Sequence, residues 1–198
     1  MSAWKHQSLF RDYLTEKELF SRTVRPNAHP SRARDEQTIF RLLSALQPLQ
    51  QYLAPDEESS RLLREILHFI HHLQQYVPIV DPNEQFEKLQ PLRDWIFFTP
   101  LDMRNRRGLR SLVLLAHIFG VALAVEPLFP EIGPAWFGTT CVAPVEEIHK
   151  TLREYLRTQE GVDAVRWMKF PLEMVQHFRH RMGFQPGSVV RARTGYGV

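Results

Sequence analysis

The stretch "LVLLAHIFGVALAVEPLFPEIGPAWFG", Leu112 to Gly138, is the most apolar part of the chain and decides its fold. Only 15 residues separate Arg110 from Glu126, whereas a membrane-spanning helix needs about 20 apolar residues. His117 near the middle of the run disfavours a membrane span further. A short run that is apolar on all sides is typical of a fully buried helix in a soluble domain. We therefore predict a buried central helix over residues 109–126.

The composition fits one soluble globular domain. Of the 198 residues, 43% are hydrophobic and 24% are charged, and the formal net charge is +3. This charge is too small to indicate nucleic-acid binding by itself. The single cysteine, Cys141, excludes a disulfide within the chain and a multi-cysteine zinc site. Low cysteine content agrees with a reducing compartment, and the N-terminus lacks the apolar core of a signal peptide.

Apolar residues recur at helical spacing on both sides of the central run, and no segment shows a convincing strand pattern. The clearest stripe is Leu62, Ile66, Phe69, Ile70, Leu73 and Val77. Proline and glycine positions predict that Pro48 bends or splits one helix, and that Pro91 interrupts or kinks a later helix that Pro100 closes. Pro144 is predicted to open another helix that Gly161 ends, and Gly183 is predicted to end the last one. The predicted fold is all-α, an irregular bundle of about six to eight helices, several broken by proline, around one buried central helix.

The chain divides into three parts. Residues 1–34 form a basic N-terminal segment that includes the linker-like "RTVRPNAHPSRAR", residues 35–183 form the helical domain, and residues 184–198 form a loose tail.

Two segments, "QFEKLQPLRDWIFFTP" from Gln85 and "LVLLAHIFGVALAVEPLFPEIGPAWFGTTCVAPVEEI" up to Ile148, resemble the C-terminal regulatory region of fungal zinc-cluster transcription factors. Shared motifs are Pro-Leu-Arg-x-Trp, an apolar helix with an Ala-His pair, Glu-Pro-Leu-Phe-Pro and a Pro-x-Glu-Glu-Ile helix start. The element from Trp167 to Pro171 is also similar. The resemblance covers roughly residues 60–183, and the flanking helices in it are generic.

The resemblance implies a helical regulatory domain that lies downstream of a DNA-binding zinc cluster and works in the nucleus, with shuttling to the cytoplasm as an option. In relatives such as the sterol-uptake regulators, a domain of this kind senses a hydrophobic ligand. The six-cysteine cluster is absent here, so the chain is either a piece of a longer protein or a shortened relative. We expect no direct nucleic-acid contact from it and no membrane association.

Candidate pocket residues come from the central block. A histidine on a buried helix can bind a ligand hydroxyl at the base of a pocket, but it can equally be a core histidine that bonds a backbone carbonyl. Large aromatics fill cores more often than they line pockets, although proline-broken helices leave room for a cavity. The candidates for a small apolar ligand are Trp95, Phe98, His117, Phe119, Trp136 and Phe137.

Two further clusters are polar. The histidines His68, His71 and His72 could hold a cation with Glu65, but they lie opposite the apolar stripe of Leu62 to Val77 and fit a solvated helix face. "RNRRGLR" forms a predicted basic surface of Arg104, Arg106, Arg107 and Arg110. This surface fits a solvated turn or an acidic partner better than base-specific contact, because no groove-reading motif flanks it.

The sequence contains no catalytic motif. Ser111 is not in a G-x-S-x-G turn, there is no glycine-rich phosphate loop or H-E-x-x-H, and Cys141 has only His149 nearby. We therefore predict a protein that is not an enzyme and needs no cofactor. The predicted function is ligand or partner sensing within a fungal transcription factor, with a homodimer or a coactivator as partner. The alternative is a helical interaction or dimerisation module without a small-molecule ligand.

Overall fold

The computed structural model describes residues 32–104, 108–129 and 134–183. These residues contain eight α-helices and one 3₁₀ turn, and no strand. The elements are α1 (Arg32–Leu46), α2 (Leu49–Leu53), α3 (Glu57–Tyr76), α4 (Pro82–Arg104), α5 (Leu109–Val125), the 3₁₀ turn Glu126–Leu128, α6 (Pro134–Arg153), α7 (Gln159–Trp167) and α8 (Lys169–Arg181). The predicted all-α class is confirmed. Helix α1 begins slightly before the predicted domain start, and residues 1–31 and 184–198 lie outside the described residues.

Helix α5 is the centre of the bundle. It packs against α1, α3, α4, α6, α7 and α8, and residues on all its sides are inaccessible to solvent, among them Val113, Ala116, Ile118 and Val121. A helix that is apolar all round must be covered all round, which is why six helices gather on it. The predicted buried central helix is confirmed.

The predicted exclusion of a membrane span on length alone is wrong. Helix α5 and the 3₁₀ turn together span 20 residues, Leu109–Leu128, with a mean hydropathy of 1.9, which is long and apolar enough to cross a membrane. The surrounding protein, however, buries 83% of the apolar window. The burial of α5 by neighbouring helices, and not its length, therefore agrees with the core helix of a bundle.

Proline positions were only partly predictive. Pro48 does separate α1 from α2, where it is the N-cap residue. Pro91 lies within one helix, α4. Pro100, however, also lies inside α4 instead of closing it, and Pro144 lies inside α6 instead of opening it. An internal proline removes one helical hydrogen bond and costs about 3 kcal/mol.

A continuous buried stripe explains why α6 runs through its proline. The buried residues of this stripe are spaced by three or four positions, which places them on one helix face: Phe137, Cys141, Val145, Ile148 and Leu152. Burial of each large side chain contributes about 1.5–3 kcal/mol, so the stripe outweighs the proline. The residues before Pro144, which was predicted to open the helix, are therefore the first half of α6.

The helix ends carry local signals. Asp56 caps α3 by accepting a hydrogen bond from the backbone N–H of Ser59 at 3.3 Å, as the acidic turn there predicts. The same carboxylate accepts from the Ser111 hydroxyl at 3.3 Å, which joins the start of α3 to α5. Gly183 follows α8 with φ of 75°, so its prediction as a stop is confirmed. Gly161, predicted to end a helix, instead lies in the first turn of α7, where its N–H bonds the Thr158 hydroxyl.

Helices α5 and α8 approach each other closely at Gly120. A Cβ atom at this position would lie 3.0 Å from Cε1 of Phe170 and 3.2 Å from Cα of Pro171. The second of these contacts is with backbone, which cannot rotate away. Glycine therefore sets the distance between the two helices beside His117.

We expect Gly120→Val to lower the free energy of unfolding by about 1–3 kcal/mol, because its methyl groups overlap Phe170 and Pro171. Intrinsic helix propensity favours valine over glycine slightly, so packing and propensity predict opposite signs. Ala124→Val, on a partly exposed position of the same helix, is the control. Urea denaturation followed by circular dichroism measures both, and an unchanged or higher stability of Gly120→Val would contradict the close approach.

Candidate functional site

His117 is a core side chain with an internal hydrogen bond. It is 1% exposed, and its Nδ1–H donates to the carbonyl oxygen of Val113 at 2.7 Å. The ring stacks on Phe170 with 5.6 Å between centroids. Burial lowers the pKa of His117 to about 4, against a smaller opposing effect of the bond to Val113. Of the two alternatives that the sequence leaves open, this geometry is that of the satisfied core histidine.

The other described pocket candidates differ widely in burial. Phe119 and Phe137 are buried, and Trp95 is half-buried with its ring edge against Phe69 at 5.5 Å. Phe98 is 63% exposed, so its ring lies largely in solvent. The Trp136 side chain lies outside the described part of the chain.

The predicted basic surface is only partly described. Arg104 ends α4, and Arg106 and Arg107 lie outside the described residues. Arg110 is not a free surface cation: its Nε donates to the Tyr52 carbonyl at 3.2 Å, and its Nη1 lies 3.3 Å from Oε1 of Glu160. Arg110 thus connects the start of α5 to α2 and α7, and its side chain is 34% exposed.

The histidines of α3 lie on an exposed helix face, as predicted. The rings of His68 and His72 stack with 6.4 Å between centroids, and His72 packs edge-on against Tyr76. The described residues contain no group of three or more histidine, cysteine, aspartate or glutamate side chains placed to hold a metal.

An open groove lies on this same side of α3. It has a volume of about 490 Å³, and its lining comes from α3, from α2 and from the residues before α2: Gln47, Gln50, Arg64, Leu67, His68 and His71. None of the predicted pocket residues lines this groove. Sequence reasoning missed it because it depends on how α3 packs against α1 and α2.

Helix α4 carries exposed aromatic side chains on the sides that are turned away from the core, Phe86 near its start and Phe97 and Phe98 near its end, and we call these three the aromatic face. Two cations accompany the aromatics of this region: the Arg93 guanidinium lies 4.4 Å from the ring centre of Phe86, and Lys88 Nζ lies 3.5 Å from that of Tyr76. Opposite this face, Leu89 and Ile96 are buried against the core. Exposed aromatics beside cations are common at protein interfaces.

Glu126 is a buried carboxylate directly after α5. The sequence pattern marks it only as the end of the central helix. Glu126 is 3% exposed, and its Oε2 accepts from Arg181 Nη2 at 3.0 Å. Burial raises the pKa of Glu126 to about 7, although the charge and hydrogen bond of Arg181 oppose this rise. No spacing signal predicts this pair, because its partners are 55 residues apart.

Cys141 is buried on the inner face of α6. Burial raises the pKa of its thiol far above the ordinary value, and the nearby carboxylate of Glu126 raises it further. A thiol in such surroundings stays protonated and unreactive. His149 lies two helical turns further along α6, about 12 Å away along the axis. This geometry provides no activated nucleophile at Cys141.

No model of a protein family, no curated protein and no solved structure matches this chain. The structure therefore defines the class of protein by fold alone: an all-α domain built around one buried helix.

His117 generates a prediction for acid stability. Its folded-state pKa is about 4 against an ordinary 6.5, so the unfolded chain takes up a proton first as the pH falls. The stability that depends on neutral His117 is thus complete above pH 6.5 and is lost between pH 6.5 and 4, up to about 3 kcal/mol. We expect His117→Leu to lose correspondingly less stability over this range in urea titrations.

The exposed His177→Leu variant, on α8, controls for the loss of a histidine as such. An acid-induced loss in His117→Leu as large as in the wild type would show that His117 does not remain neutral in the folded protein.

Glu126 predicts the opposite dependence. Its folded-state pKa of about 7 lies above the ordinary 4.5, so the folded state holds a proton that the unfolded chain has already released. Stability due to this group is highest at low pH and falls as the pH rises from 4.5 to 7. Thermal unfolding measured across this range should show the decline in the wild type relative to Glu126→Gln. In Glu146→Gln, which removes an exposed carboxylate paired with Arg179 at 2.7 Å, the decline should persist.

Proposed function

We propose that this chain is the regulatory domain of a transcription factor of the zinc-cluster kind, and that it works in the nucleus by binding another protein. The observation that carries the proposal is the aromatic face of α4. Two of its phenylalanines, Phe86 and Phe98, are half or more exposed on a helix whose other side belongs to the core. The helix also opens the block over residues 85–148 that resembles the regulatory regions, and this block comprises α4, α5 and α6.

The packing of the central helix favours a protein partner over a small apolar ligand. A ligand pocket at His117 needs space beside the imidazole, yet this ring stacks on Phe170 and bonds Val113. At Gly120, one turn further along, even a single methyl group meets α8 at 3.0 Å. A ligand that bound here would have to separate α5 from α8.

The aromatic face offers a partner both burial and charge. Covering apolar surface contributes about 25 cal/mol per Å², and exposed phenylalanines supply such surface without loss of core packing. Arg93, beside Phe86, adds positive charge to this face. A second copy of the chain or a coactivator with an apolar helix face fits this surface, and such a partner regulates only if it binds one state of the domain better than another.

A second function, a dimerisation module without a role in transcription, is supported by the same aromatic face. A surface that pairs with itself in a two-fold dimer needs only one patch. The two functions differ in whether the chain changes transcription when it is brought to DNA, and this difference can be measured directly.

We expect the full chain, fused to a heterologous DNA-binding domain, to change transcription of a reporter gene. Phe98→Ser should weaken partner binding roughly tenfold, because an interface aromatic commonly contributes 1–2 kcal/mol or more, and the reporter effect should fall with it. Phe40→Ser removes an equally exposed phenylalanine, 69% exposed, from α1 and is the matched control.

A reporter effect that Phe98→Ser and Phe40→Ser leave equal would place the interaction elsewhere. No reporter effect, together with concentration-dependent self-association in sedimentation that Phe98→Ser abolishes, would favour the dimerisation module.

A further inference from the structure

The groove on the histidine side of α3 has a lining that suits an anion. Arg64, His68 and His71 follow one another at spacings of four and three, so they share a face of α3. Gln47 and Gln50 face them and bring side-chain amides that can donate hydrogen bonds. No acidic side chain belongs to this lining. The groove therefore gathers hydrogen-bond donors and positive charge without an internal counter-charge.

Arg64 differs from its neighbour Arg61 in its surroundings. Arg61 lies within ion-pair distance of two carboxylates on its own helix, Glu58 at 4.0 Å and Glu65 at 3.9 Å. Within the described part of the chain, no carboxylate lies within 4 Å of the Arg64 guanidinium. Two arginines one turn apart thus carry the same charge, and only Arg64 lines the groove.

The groove also has an apolar part. Leu67, which belongs to the core cluster, reaches its lining between Arg64 and His68. The groove is open to solvent along one side, so an extended segment can lie in it. An occupant that places an anionic group on the guanidinium and an apolar group on Leu67 would satisfy both parts of this lining.

The geometry points to this groove as a binding site for a short acidic segment of a partner protein, with a glutamate or aspartate carboxylate on Arg64 and an apolar side chain on Leu67. The planar fork of arginine matches a carboxylate with two parallel hydrogen bonds. The amides of Gln47 and Gln50 then reach the peptide backbone of the same segment. This site goes beyond the proposed function, because it lies on other helices than the aromatic face and needs no role in transcription.

An acidic peptide fits this groove better than a nucleic-acid backbone. A strand of nucleic acid is bound by several cations that follow its regularly spaced phosphates, whereas this groove contains one arginine. Its two amides are groups that pair with peptide N–H and C=O equally well. Nucleic acid is therefore the competing occupant that the experiment must separate.

The test uses the full chain and a short fluorescein-labelled peptide of alternating glutamate and leucine, with fluorescence anisotropy as the readout. A second peptide has glutamine in place of each glutamate, and a labelled single-stranded oligonucleotide represents nucleic acid. We expect the acidic peptide to bind, and Arg64→Gln to weaken it about tenfold, since hydrogen bonds to charged groups are among the strongest. Arg61→Gln, with the same change of charge on the same helix, should weaken it less than about twofold.

His68→Leu provides a second variant within the lining and should also weaken binding of the acidic peptide, because it removes a hydrogen-bond donor. Circular dichroism verifies that each variant remains helical. Equal effects of Arg64→Gln and Arg61→Gln would overturn the inference, because binding would then follow net charge rather than the groove. Binding of the glutamine peptide as tight as the acidic one, tighter Arg64-dependent binding of the oligonucleotide, or no binding of the acidic peptide would overturn it as well. Each of these outcomes is independent of the reporter assay on the aromatic face.

Discussion

The structure depends on the need to bury α5 on every side. A helix whose whole surface is apolar has no face that tolerates water, so the remaining helices must surround it. The contacts of α5 follow from this requirement. Helices α1, α3 and α4, which precede α5 in the chain, pack against it, and so do α6, α7 and α8, which follow it. The outer faces of these helices are left to form surfaces, among them the groove on α3 and the aromatic face of α4. In this domain the core provides the scaffold and the candidate sites lie outside it.

Polar groups within this core are few, and each has a different relation to water. The His117 ring donates a hydrogen bond to Val113 of its own helix, and the neutral imidazole can make this bond without a charged partner. Glu126 lies at the end of the same helix beside Arg181, a partner whose side chain is 37% exposed and thus remains partly hydrated. The Arg181 guanidinium also reaches the Leu123 carbonyl, a favourable place for a cation at a helix C-terminus. Burial therefore favours the neutral imidazole of His117 and the protonated carboxyl group of Glu126.

The parts of the fold that follow from local pattern could be predicted from the sequence, whereas the parts that depend on tertiary contact could not. Helix α5, the stripe of α3 and the stop at Gly183 are each determined by residues close in the chain. The start of α6 was missed because glycine and proline in its first half hide the buried stripe through Phe137 and Cys141. The pair of Glu126 and Arg181 and the groove on α3 were missed because their members come from separate helices. Phe98 shows the same limit: its aromatic character is evident in the sequence, but its direction is set by which side of α4 meets the core.

The small residues of α5 restrict how this helix can move. Ala116, Gly120 and Ala124 follow one another at intervals of four, so they form one line along the helix. Only the middle residue lacks a Cβ, and it is there that Phe170 and Pro171 approach most closely. A translation of α5 by one turn, about 5.4 Å, would bring an alanine methyl group to this point in either direction. Sliding of α5 along α8 by one turn would thus press an alanine methyl group against Phe170 and Pro171, and these residues would have to move outwards to admit it.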